Sequence, residues 1–183
     1  MIWLWIVGII VILSGVVLII YYNKFIVLGN RIDNSLAQID VQLKKRADLV
    51  PNLVDTVKAY AKHEKSIIAE VTKARKEMLS AKSLPDKVKA GDQLQNSLKS
   101  IFALAENYPD LKANQNFLHL QQELSAIEDK VAYARQFYND SILSYNNSTK
   151  VFPGVMFAKL YRVKARQFLE ITTAERKVVK VNF

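Results

Sequence analysis

Cysteine is absent from the 183-residue chain, histidine and tryptophan occur twice each, proline four times and glycine five times. The missing thiols exclude disulfides, thiolate metal sites and cysteine nucleophiles together, and fit a reducing compartment. Scarce glycine and proline leave few strand-and-turn signals, so the chain reads as mostly helix. A di-iron bundle needs Glu-x-x-His pairs, but Tyr60 and Asn116 stand three residues before His63 and His119. No His-Glu-x-x-His, glycine-rich phosphate loop or Gly-x-Ser-x-Gly occurs. Glu123, Glu128 and Asp129 read as a solvated helix face. No catalysis, metal, cofactor or small-molecule substrate is expected.

Positive charge is plentiful but uneven, within a net charge of +9. Residues 24–146 hold 18 Lys and Arg against 15 Asp and Glu, giving +3, and residues 147–183 hold 8 against 2, giving +6. The basic balance belongs mainly to the tail, so no broad nucleic-acid face is expected on the folded part.

What the chain does have is one long apolar run. No charged side chain precedes Lys24, and Ile2 to Ile20 is almost wholly Ile, Val, Leu, Trp and Gly. About 20 such residues in a helix span a hydrocarbon core of about 30 Å. Trp3 and Trp5 near one end, with Tyr21 and Tyr22 at the other, match the headgroup layers where amphipathic rings settle. A cleaved leader would carry basic residues first and a small-x-small cleavage site, and neither is present. The run is therefore expected to be a single-pass anchor over residues 1–23. Lys24, Arg31, Lys44, Lys45 and Arg46 come after it. The positive-inside rule then puts the N-terminus outside a bacterial plasma membrane and the rest in the cytoplasm.

From Phe25 to about Ser80 one heptad register holds, with Leu36, Leu43, Val50, Val57, Val71 and Met78 at one seam position. Ile39, Leu53, Tyr60, Ile67 and Ala74 take the other, the spacing of a long coiled-coil-like helix continuing from the anchor. Pro51 is expected to bend this helix without ending it. Arg46 and Glu64 intrude on the seam as candidate buried polar residues. Either their long side chains reach the bundle edge, or each meets an opposite charge and fixes the pairing register. Ser83-Leu84-Pro85-Asp86 starts a second helix over about 86–107. Beyond Asn107-Tyr108-Pro109-Asp110 the apolar face shifts by two positions, to Ala113, Phe117, Leu120, Leu124, Ile127, Val131, Ala134, Tyr138 and Tyr145. That shift makes Pro109 a corner and residues 110–150 a third helix, expected to turn away from the membrane. Val155 to Tyr161 reads as a short helix, and residues 178–183 as extended.

Several ordered blocks resemble the LemA family. They are Asn30-Arg31-Ile32-Asp33-Asn34, Gln38 to Arg46, Leu49-Val50-Pro51-Asn52-Leu53-Val54, Tyr60-Ala61-Lys62-His63-Glu64, Ala105 to Asn114, Tyr133 to Asn139, and Phe152-Pro153. The resemblance covers nearly everything after the anchor and thins beyond Gly154. It implies a membrane anchor carrying an up-and-down helical bundle, with no established catalytic activity and magnetosome membranes associated with one branch.

The expected architecture is thus all-α: an N-terminal transmembrane helix continuing into an antiparallel up-and-down bundle of three main helices. The expected divisions are 1–23 anchor, 24–153 bundle and 154–183 basic C-terminal segment. Asn114, Gln115, Tyr133, Arg135, Gln136 and Asn139 lie off the third helix's apolar seam and form the candidate interface. The expected partners are the lipid bilayer and an unidentified membrane or cytoplasmic protein, possibly a second copy. A protein-interaction or scaffolding role leads. The alternatives are lipid organisation by the basic segment, or an accessory role in membrane proteolysis.

Overall fold

The structure, a computed structural model, describes residues 1–169, and among these it holds six helices and no strand. The first, α1 (Ile2–Tyr60), is long and apolar enough at its start to cross a membrane. Its side chains from Ile2 to Ile20 are almost all exposed, as expected of residues meant to face lipid. The helices after it are α2 (Lys65–Ser80), α3 (Leu84–Ala105), α4 (Pro109–Lys112), α5 (Gln115–Lys150) and α6 (Gly154–Leu160). The all-α class and the apolar helix leading into a bundle agree with the sequence. The expected extended residues 178–183 lie outside the described part.

The described chain forms two compact units, residues 37–134 and residues 1–36 with 135–169. In the first, α1, α2, α3 and α5 run alternately up and down. The end of α1 meets the start of α5, where Asn114 Nδ2 donates to the Tyr60 hydroxyl at 2.9 Å. Lys87, in the first turns of α3, reaches Asp40 of α1 at 2.8 Å. Ile39, Leu43, Val50, Leu53 and Val57 of α1 are buried, as are Val71, Ala74 and Met78 of α2. Leu94, Leu98 and Ile101 of α3 and Phe117, Leu120, Leu124, Ile127 and Val131 of α5 are buried too. Burial of apolar side chains contributes about 1.5–3 kcal/mol for each large one, which makes this seam the main source of stability.

Two sequence expectations are corrected here. The helix expected to reach Ser80 stops at Tyr60, and α2 begins at Lys65. The heptad count does not reveal the reversal because the four-residue turn preserves phase: α2 folds back and buries the same seam residues. Glu64, the polar residue in that seam, is where the new helix starts. Pro109 does mark a corner, opening the single turn α4. The extra reversal at residues 61–64 inverts the direction of the later helices, so α5 runs antiparallel to α1 where the expected helix count made it parallel. In the second unit Ser141 Oγ of α5 lies 3.5 Å from Ser35 Oγ of α1. The position a Cβ would take on Gly154 is 3.4 Å from Tyr21 Cε1. α5 therefore runs back toward the exit of the apolar segment.

Helix α1 runs through Pro51 without a break. Proline has no N–H, so the carbonyl of Ala47 loses its partner four residues on. Arg75 of α2 supplies the replacement, its Nε donating to the Ala47 oxygen at 2.8 Å. Arg75→Ala should cost about 1–3 kcal/mol by leaving that acceptor unmet. In a Pro51→Ala background, where the substituted residue's N–H restores the helical bond, the same change should cost clearly less. Denaturant titrations of the four proteins of this cycle measure the coupling.

Candidate interaction surface

Helix α5 starts on its own cap: Asn114 Oδ1 accepts from the Phe117 N–H at 3.0 Å, satisfying an orphan donor of the first turn. Because its amide also donates to Tyr60, Asn114 joins the helix tip together. Beside it the Tyr108 hydroxyl donates to Glu64 Oε1 at 2.9 Å. That bond to a carboxylate holds the phenol proton and raises the Tyr108 pKa above the usual tyrosine value. The stabilisation this implies is present below the unfolded tyrosine pKa and is lost as pH rises through the higher folded one.

Arg46 is only 2% exposed, within the core seam of the first unit. Its Nη1 donates to the Gly91 carbonyl at 3.3 Å. Gly91 permits this approach: a Cβ there would stand 2.8 Å from Leu43 Cδ2. The missing side chain brings α3's backbone within reach of the guanidinium.

The remaining α5 residues divide sharply. Gln115 and Gln136 are exposed, and Tyr133 is 72% exposed. Arg135 and Asn139 are half-buried. In the second unit Asn139 grips the backbone of Leu169, donating to its carbonyl at 3.3 Å and accepting from its N–H at 3.0 Å. Asn146 does the same to Arg166, with both bonds at 2.8 Å. The two amides hold the backbone of residues 166–169, which belong to no helix, at two points. Arg166 then closes on Asp33 at 2.8 Å and lies over the Tyr145 ring. Its hydrogen bond to Asp33 raises the guanidinium pKa. Sequence reasoning missed this clamp, although Asn139 and Asn146 stand seven residues apart, two turns along one helix face.

The LemA family model matches residues 35–183 of the chain. The chain belongs to the LemA family. It is 27% identical to Protein LemA of Metamycoplasma hominis over 127 residues, 67% of this chain and 57% of that one. Magnetosome protein MamQ of Magnetospirillum gryphiswaldense is 24% identical over 162 residues, 74% and 60% of the two chains. Magnetosome protein MamQ 2 of Paramagnetospirillum magneticum is 22% identical over 179 residues, 84% and 66%. The chain thus spans less than two thirds of the length of these relatives. Among the described residues no group of three or more His, Cys, Asp or Glu is placed to hold a metal ion.

Proposed function

We propose that this LemA-family chain is a membrane-anchored protein-interaction module, with its N-terminus outside a bacterial plasma membrane and its bundle in the cytoplasm. It acts as a scaffold and carries out no chemistry of its own. One observation carries the reading: Tyr133 stands 72% exposed on α5, away from the buried seam at Val131 and Ala134. A large amphipathic ring in water is a characteristic anchor of protein interfaces, where its body is buried and its hydroxyl finds a partner.

Photo-crosslinking in native membranes tests this. A benzophenone amino acid at Tyr133, and separately at Lys130 one turn earlier, should trap the same discrete product. One at Lys73, an exposed site on α2, should not. A product at twice the chain mass would identify a second copy. Diffuse or equal products at all three sites would contradict the proposal.

A further inference from the structure

Helix α6 is registered on the end of the apolar segment by contacts within the second unit. Phe157 stacks on Tyr21, with centroids 4.5 Å apart and an interplanar angle of 18°. Tyr161 meets Tyr22 edge-on at 5.5 Å, and its hydroxyl donates to the Leu18 carbonyl at 2.9 Å. Leu18 lies within the apolar run, and Lys24 is the first charge after it. These contacts fix α6 at the level where α1 leaves the hydrocarbon. Phe157 is half-buried and Ala158 buried against this seat, so the opposite side is left open.

That open side is apolar. Val151 is 61% exposed, Phe152 75%, Met156 60% and Leu160 62%. Phe152, Met156 and Leu160 succeed one another at four-residue spacing, and Lys150 and Lys159 stand exposed beside them. Four large apolar side chains together are costly to keep in water. At this height they need not be in water, and the lysine stems beside them are long enough to carry their charges to headgroups.

We propose that Val151, Phe152, Met156 and Leu160 form a second membrane contact. They would act as a short foot lying in the headgroup–acyl boundary of the leaflet through which α1 leaves. The proposal rests on the reading that residues 2–20 span the bilayer. Its occupant is lipid because α6 is seated through Phe157 and Tyr161 on Tyr21, Tyr22 and Leu18, at the end of the α1 run whose Val16, Ile19 and Ile20 are themselves exposed. The contact is hydrophobic and belongs to α6 and the two residues Val151 and Phe152 just before it, so it does not depend on the charge of the tail. Its consequence is a chain pinned to the membrane at two places.

The test uses the full chain in vesicles of phosphatidylcholine and phosphatidylglycerol. Single cysteines replace Phe152, Met156 or Leu160, each carrying an environment-sensitive dye. Leu13→Cys serves as the deep control and Ser100→Cys as the aqueous one. Dyes at the three foot sites should shift to the blue and lose intensity to lipids bearing a nitroxide high on the acyl chain. They should resist aqueous iodide, which quenches the dye at Ser100→Cys. Iodide quenching with no response to nitroxide lipid would overturn the foot. So would protection from both quenchers that depends on protein density, since that pattern belongs to a second copy covering the patch. Nitroxide quenching at Leu13→Cys keeps the anchor reading separate: its loss would refute the spanning helix, whereas its presence with a negative result at α6 would refute only the foot.

Discussion

Replacing Arg46 by alanine should cost the protein about 3–5 kcal/mol, among the largest single-residue losses the chain can show. Arg46 is buried, and its Nη1 bonds the Gly91 carbonyl. Alanine deletes the donor, leaves that oxygen with one partner fewer, and opens a cavity where the long side chain lay between α1 and α3. Lysine should restore only part of the loss, because a point charge lacks the planar fork of donors. Chemical denaturation of the full chain in detergent measures both variants. A loss under about 1 kcal/mol for alanine would mean that the guanidinium is solvated and holds nothing together.

The second large effect is expected at Gly154. A Cβ built there falls 2.1 Å from the Ser148 carbonyl oxygen and 3.2 Å from its carbon. These are backbone atoms of α5, so no side chain can swing aside to relieve the clash. Gly154→Val should therefore lift α6 off its seat, parting Phe157 from Tyr21 and Tyr161 from Leu18. Overpacking of this kind costs about 1–3 kcal/mol, and contact with rigid backbone puts this site at the upper end. Amide exchange should accelerate across residues 155–161 while α2 and α3 keep their protection, because they belong to the other unit. Unchanged exchange in α6 would show that the close approach at Gly154 is not maintained.

How much of this is legible in the sequence depends on which physical signal each feature leaves. The apolar run is a composition signal and is plain. The α5 face from Phe117 to Tyr145 is a periodic signal, and its shift after Pro109 locates the corner. The reversal after Tyr60 leaves almost none: residues 61–64 contain neither proline nor glycine. A four-residue turn there keeps the seven-residue phase, so Val71 and Met78 fit a continuing helix as well as a returning one. Within the turn, Glu64 at a seam position is the discordant residue, and it also reads as a polar side chain reaching the edge of a bundle. Missing that turn reverses the expected direction of α5, and with it the position of α6. Long-range pairings such as Asn146 with Arg166, or Arg75 with Ala47, depend on which helices become neighbours. Local pattern does not encode that. Tyr133 is legible as lying off the seam, whereas Asn139 is legible only as polar, and its grip on Leu169 requires the fold.

The proposed function requires a cytoplasmic bundle carried by one membrane-spanning helix. Single cysteines at Ile2 and Ser100, both exposed in the structure, probe that topology in intact cells. An impermeant thiol reagent should label Ile2→Cys from outside and reach Ser100→Cys only after the membrane is permeabilised. No native cysteine exists to confuse the readout. Labelling of Ser100→Cys in sealed cells, or recovery of the protein in the soluble fraction after alkaline extraction, would contradict this topology.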